Sequence, residues 1–410
     1  MLTYQKNLEK YADLGVRVGV NIQKDQTLVV NAPLAAAELV RLVAKKAYEA
    51  GAKNVHVEWH DDDLTRIKFD MAPDEAFKDF PMWKAKGYEE MAENGAAFMS
   101  IVASNPDLLK GVDPERIAEA NKTGGKAMGK YREYAQADKI SWTVLAAPSK
   151  EWAAKVFPDA NEEEQMSKLW DAIFKATRAD LEDPIQAWKK HNENLSEKVD
   201  YLNNKKYKKL HYKAEGTDLT IELPDGHLWV GGGGPNERGA IFVANMPTEE
   251  VFTTPLKDGV NGTVSSTKPL SYGGNLIENF SLTFEKGKIV DYKAEEGYET
   301  LKRLIETDEG SHYLGEVALV PHDSPISNTN IIFFNTLFDE NASCHLAIGN
   351  AYASCLEGGT KMSKEELEKA GANSSITHVD FMIGSAEIDI DGIMENGEEE
   401  PLFRNGNWAF

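Results

Sequence analysis

TLVVNAPLAAAELVRLVAKKAYEAGAKNVHVEWH, residues 27–60, reads as strand, helix, strand. TLVVNAP (27–33) is a short apolar, β-branched run. AAAELVRLVAKKAYEAGA (35–52) is an amphipathic helix that ends near Gly51, and NVHVEWH (54–60) is a second strand. Strands joined through a helix pair in parallel, because a tight hairpin serves only antiparallel neighbours. Outward from this unit, AAFMSIVAS (96–104) and KISWTVLAAPS (139–149) supply two more strands, with helical stretches such as DPERIAEAN (113–121) between them. The expectation is an α/β fold: an N-terminal doubly wound, mostly parallel sheet with helices on both faces. No GxGxxG occurs here, so a dinucleotide site has no fingerprint.

Past residue 160 the texture changes twice. NEEEQMSKLWDAIFKATRAD and PIQAWKKHNENLSEKVDYL are charged and helical, and NNKKYKK closes them. A domain boundary is placed near residue 205, giving 1–205 and 206–410. KLHYKAEGTDLTIELPDGHLWV and SLTFEKGKIVDYKAE then break short β runs with GTD, PDG and KG turns. Residues 206–410 are expected to be strand-rich and mixed α+β, with a few helices such as YETLKRLIETD (298–308) and SKEELEKAG (363–371).

The chain has 410 residues, too many for one ordinary core, and 41% are hydrophobic, enough to build two. No apolar run approaches the roughly 18–20 residues that span a membrane. The first twenty residues carry charges throughout and lack the apolar centre of a signal peptide. With two cysteines only, Cys344 and Cys355, a disulfide scaffold is not expected, and a cytoplasmic setting fits. Against 67 acidic residues stand 45 basic ones, a formal charge of −22, which leaves no cationic excess for nucleic acid. Such acidity serves solubility first. It also suits attraction of a cationic substrate such as a free amino terminus.

Several short motifs have bland readings that prevail. GGKAMGKY (124–131) approaches a phosphate loop, but Tyr131 stands where Ser or Thr is needed, so a helix break is expected. GGGGP (231–235) is a turn, or a place where backbone approaches a ligand. HVEWH (56–60) sets two His and a Glu on one strand face, yet the preceding strands offer no further ligands and DDD follows at 61–63 as a helix start. Cys344-His345 lacks a CxxC partner for a thiolate zinc site. HExxH and GxSxG are both absent, which removes the zincin and serine-hydrolase readings.

The chemistry concentrates in acids and imidazoles on short apolar runs. They are Glu249-Glu250 in NMPTEEVFTTP, Glu316 in YLGEVALVP, Glu340, His345 and Tyr352 in LFDENASCHLAIGNAY, and His378 with Asp380 in THVDFMIG. His378 and Asp380 are two apart, so a strand projects them together. Glu316 opens a buried strand, where an unpaired carboxylate is expensive. Carboxylates and imidazoles converging from several strands suit a divalent-metal site.

At these segments, and at SPISNT and the closing LFRNGNWAF, the chain resembles the metal-dependent aminopeptidases that include aminopeptidases S, T and PepS. The resemblance runs from YADLGVRVGVNI to the end. It implies two divalent cations per subunit, zinc or cobalt foremost, with magnesium or manganese as alternatives. Their ligands would be Glu250, Glu316, His345, Tyr352, His378 and Asp380, with Glu316 bridging and Glu340 either a ligand or the acid/base residue. Glu316, Glu340 and Tyr352 would carry the chemistry. It further implies a cytoplasmic homodimer that releases N-terminal residues from short peptides with a free amino terminus, with no nucleic-acid or membrane partner. The alternatives are another dimetal hydrolase, an amidase or phosphoesterase, or a non-enzymatic metal- or small-molecule-binding protein.

Overall fold

The apolar run at 27–33 forms the second strand of a four-stranded sheet because it can be covered on both faces. Leu28, Val29 and Val30 are all buried. The sheet, seen in a computed structural model that describes residues 2–103, 105–273 and 275–410, has the order Asn54–His60, Thr27–Pro33, Ala97–Val102, Trp142–Ala146. Every neighbouring pair is parallel. The expected first helix runs from Ala37 to Glu49 and buries Leu39, Val40, Val43 and Ala47 on one face. Gly51 follows at φ +102°, a conformation that an L side chain would strain.

Two expected strand ends are shorter. The third strand stops at Val102; Ser104, included in the expected run, lies outside the described residues. Ser149, expected at the end of the fourth strand, instead caps the helix Lys150–Val156, its Oγ accepting from Trp152 N at 3.0 Å. The GGKAMGKY run lies in two helices, Pro114–Ala127 and Gly129–Gln136, that meet at Met128. Gly124 and Gly125 are therefore helical and do not form a phosphate cradle.

The chain divides into two compact units, Met1–Lys190 with Gly233–Pro247, and His191–Gly232 with Thr248–Phe410. The second unit is built on two large sheets with antiparallel pairing, and also holds the two-stranded sheet of Leu270–Tyr272 and Asn275–Ile277. One has eight strands in the order Lys288–Lys293, Ser281–Glu285, Val260–Ser265, Thr217–Glu222, Lys209–Ala214, Asp389–Ile393, Glu399–Arg404, Asn407–Trp408. The KG turn joins its first two strands with both Lys286 and Gly287 at positive φ, as a type I′ hairpin requires. The other has five strands in the order His378–Met382, His345–Gly349, Leu314–Leu319, Val251–Thr253, Val230–Gly231. Within that series His345–Gly349 pairs with both His378–Met382 and Leu314–Leu319. One core of apolar side chains, among them Tyr212, Leu219, Phe284, Leu314, Ile348 and Phe381, packs this unit.

Candidate metal centre

Register places the acids and imidazoles on one face of the five-stranded sheet. Ala347 stands opposite Glu316 on one side and Asp380 on the other, while Gly349 stands opposite His378. Directly opposed residues share a face, and so do residues two apart. His345, Ala347 and Gly349 therefore line the same face as Glu316, His378 and Asp380. The small side chain at Ala347 and the bare Gly349 leave room between the acids. Glu250, just before the strand Val251–Thr253, reaches the same face two residues from Phe252, which is opposite Ala318.

Glu316 gets there through an irregularity. Leu314 pairs with Ile348 but Glu316 pairs with Ala347, so the register slips by one at Gly315. Leu314 and Ile348 point into the apolar core, and the slip turns Glu316 to the opposite face. Only glycine fits there: a Cβ on Gly315 would lie 2.2 Å from Asn350 O and 2.4 Å from Gly349 O.

Two groups of three side chains result, Glu250–Glu316–His345 and Glu316–His378–Asp380, and in each the ligand atoms lie within 4.8 Å of one another. His345 Nε2 is 2.9 Å from Glu250 Oε2 and 3.6 Å from Glu316 Oε1. His378 Nε2 is 3.5 Å from Glu316 Oε2 and 3.3 Å from Asp380 Oδ1. Glu316 thus offers one oxygen to each group. Both imidazoles are turned by their other nitrogen: His345 Nδ1 lies 3.0 Å from Ser343 O and His378 Nδ1 2.7 Å from Asn350 O. With Nδ1–H donating to a carbonyl, Nε2 is left as the lone-pair donor toward the centre. Asp380 Oδ1 is buried without a hydrogen bond of good geometry. These donors, convergent, with one carboxylate oxygen left over, fit divalent cations.

Without cations, protons hold the charges together. Burial pushes the Glu316 carboxyl up to about 7, against the pull of nearby His345. Burial works against the charged form of His378, but the Asp380 carboxylate outweighs it and holds the imidazole up at about 10. His345 is also driven well above its ordinary value, Glu250 and Glu316 overcoming burial. Burial opposes ionisation of Asp380 too, yet the charge of His378 brings its carboxyl below the usual range. Cations entering the centre must displace protons.

Glu340 belongs to neither group of three. It is buried beside them, and burial followed by the charges of Asp380 and Glu250 pushes its carboxyl well up. Tyr352 packs its ring 4.8 Å from the His378 ring, tilted 59°. Burial, then the Glu316 charge, raises its hydroxyl well above the ordinary value. Glu249 and Glu250 part company: the Glu249 carboxylate lies 3.5 Å from His191 Nε2, not on the centre's imidazoles. Burial pushes the Cys344 thiol up to about 11, so it stays neutral beside His345. In the first unit, Glu58 of HVEWH pairs with Lys84 at 2.7 Å.

Sequence reasoning passed over the groups that hold these ligands. Asn341 Oδ1 accepts from Glu249 N at 2.8 Å and its Nδ2 donates to Leu337 O at 3.0 Å, fixing the backbone beside Glu250. His191 Nε2 is 2.8 Å from Thr248 O. Gly231 pairs with Val251, and a Cβ there would lie 2.6 Å from Glu250 O. The glycine run thus packs against a ligand's backbone. Asn341 adjoins Glu340 and the GGGGP run stands out in the chain, whereas His191, in a charged helix, carries no signal.

The thermophilic metalloprotease (M29) family matches residues 4–408. This chain belongs to the M29 family. Aminopeptidase AmpS of Bacillus subtilis (strain 168) is 63% identical over 410 residues, covering 100% of both chains. Aminopeptidase 2 of Geobacillus stearothermophilus is 59% identical over 410 residues, covering 100% of this chain and 99% of its own. Among solved structures, wild-type AmpT from Thermus thermophilus superposes with a TM-score of 0.93 at 44% identity, covering 99% of this chain and 100% of its own. Membership of a metalloprotease family implies a divalent metal, and this M29 chain carries donors suited to one.

Proposed function

We propose that the two groups sharing Glu316 form a dimetal centre that releases the first residue of short peptides, with residues 206–410 as the catalytic domain. The chain is a metallo-aminopeptidase by family and by its relatives. The observation that carries the dimetal reading is Glu316, which turns one oxygen to His345 and the other to His378. Glu250, His345 and Glu316 would hold one cation; Glu316, His378 and Asp380 the second. Divalent cations, zinc or cobalt foremost, supply Lewis acidity and bring the pKa of water toward neutrality. Glu340, buried and with a high proton affinity, would take a proton from the attacking water and return it to the leaving amine. Tyr352, kept protonated, is available to donate to the oxyanion that develops. The surrounding carboxylates attract the substrate's ammonium.

Exhaustive chelation is expected to abolish release of Leu from Leu-anilide, and cobalt or zinc to restore it. Acetyl-Leu-anilide, which lacks the positive charge, should be inert. Full turnover with no metal left by mass spectrometry, or equal rates on the two substrates, would overturn the reading.

We also propose a cytoplasmic homodimer. No helix among the described residues is long and apolar enough to cross a membrane. The helix Asp62–Met71 leaves Leu64, Ile67 and Met71 exposed at helical spacing, and Trp83 is 74% exposed. The closing NGNWAF uses part of its aromatic surface within the chain: Phe410 stacks on Tyr201 with ring centroids 3.7 Å apart, and Trp408 packs on Phe403. Light scattering should give about twice the 45.5 kDa chain mass; a fully active monomer would refute it.

A further inference from the structure

The two groups of three differ in how they are supported. Side chains of His345, Glu316 and Glu250 are 1%, 6% and 9% exposed, whereas those of His378 and Asp380 are 21% and 15% exposed. His378 and Asp380 also lie on the edge strand of the five-stranded sheet, paired on one side only. An edge strand needs other means to hold its place.

At its far end the strand is tied by Thr267 N, which donates to Met382 O at 2.9 Å. At its start it is entered from the loop 373–377, and the side chain of Ile376 in that loop cannot anchor it, being 68% exposed. A polar clasp does so. Asp308 accepts from Ser375 Oγ at 2.8 Å, Ile376 N at 2.7 Å and Ser311 N at 2.8 Å. Ser375 N donates to Asn350 Oδ1 at 3.2 Å, Asn350 N donates to Thr377 O at 2.7 Å, and Asn350 O faces His378 Nδ1 at 2.7 Å. Hydrogen bonds therefore run unbroken from Asp308 through Ser375 and Asn350 to the imidazole. Burial opposes the Asp308 charge, but the donors around it win and keep its carboxyl below the usual range.

We infer that Asp308 is a positioning residue that presets the more open cation site, the one formed by Glu316, His378 and Asp380. The inference rests on the dimetal reading above. Asp308 touches no ligand atom; it acts by fixing the loop that carries His378 and the carbonyl that orients it. Removing the carboxylate frees Ile376 N and Ser375 Oγ and loosens the edge strand's entry. The closed site, held by interior strands and by Asn341, does not depend on it.

Cobalt titrated into the metal-free full-length chain, followed by calorimetry and by the visible absorption of the bound ion, tests this. The wild type should take up two ions. In Asp308→Ala one of them should bind at least about tenfold more weakly, the scale typical of lost outer-shell support, with the other unchanged. Ser375→Ala, which removes the Oγ bonds to Asp308 and from Thr377 N but spares the carboxylate, should shift the same ion in the same direction by less. A role confined to turn stability would lower the melting temperature of the metal-free chain and leave both affinities alone. Two ions bound with wild-type affinity by folded Asp308→Ala and Ser375→Ala would overturn the inference, as would equal weakening of both ions. A wild type that binds only one ion would strike at the dimetal reading, and this inference would fall with it.

Discussion

Two strands of this molecule carry nearly the same local message. HVEWH (56–60) and HVDFM (378–382) each set an imidazole and a carboxylate two residues apart, and each is an edge strand. Their neighbours differ. Beside the first runs TLVVNAP, where Val29 faces His56 and Asn31 faces Glu58. Among the described residues no group of three ligands forms there, and Glu58 settles with Lys84. Beside the second runs HLAIG, where Gly349 faces His378 and Ala347 faces Asp380, and beyond Ala347 stands Glu316. The pair alone does not make a metal site. In the proposed centre, a neighbouring strand with small residues on that face, and an acid on the strand behind it, complete it.

Neutralising one acid at each place separates the two. Glu316→Gln should reduce kcat at least about a hundredfold, about 2.7 kcal/mol of transition-state stabilisation, and lower the bound-metal stoichiometry. Glu58→Gln removes a partly exposed ion pair, worth at most about 1 kcal/mol, and should leave turnover unchanged. Steady-state kinetics with elemental analysis decides. An inactive Glu58→Gln beside an active Glu316→Gln would put the centre in the other unit.

Gly315→Ala tests the register slip. Its methyl group cannot coexist with the backbone oxygens of Gly349 and Asn350, so the strand must shift and Glu316 with it. Activity and metal content should fall about ten- to a hundredfold, while circular dichroism stays close to wild type. Wild-type activity would show that the slip does not aim Glu316.

Acidity should weaken the centre and not the first unit. Glu316 titrates near 7, and His378, raised to about 10, still holds a proton at neutral pH. A cation must expel these protons, so affinity rises with pH, by about tenfold per unit for each proton released. Zinc competition titrations between pH 6 and 8 measure it, and a flat profile would contradict the protonated cluster.

The smallest effect concerns the first unit's own misplaced acid. Burial raises Asp138 to about 6. A carboxyl raised in the folded state contributes stability only while protonated, fully below its unfolded pKa near 4, and loses that contribution as pH rises through 6. At pH 7.5 the ionised side chain is therefore a burden. Asp138→Asn, tolerated at the residue's φ of 49°, should stabilise by about 1 kcal/mol, a few degrees in melting temperature. Below pH 4 the gain should vanish. A gain that is constant with pH would mean the side chain's charge is irrelevant.

Much of this was legible in the chain. Alternation of apolar runs and amphipathic helices specified the parallel sheet, because each pattern can bury only one kind of face. The composition of the site was legible too, since acids on apolar runs demand partners and the family resemblance supplied their roles as expectations. Tertiary structure alone decided which acid serves which imidazole. Glu249 and Glu250 are adjacent and chemically identical, yet one turns to His191 and the other to His345. Glu316 reaches the centre only because the strand slips at Gly315, and His378 keeps its aim through Asn350, tied by Ser375 to Asp308. Periodicity along one strand says which residues share a face. Which residues share a site depends on the register between strands, and backbone contacts far apart in sequence set that register.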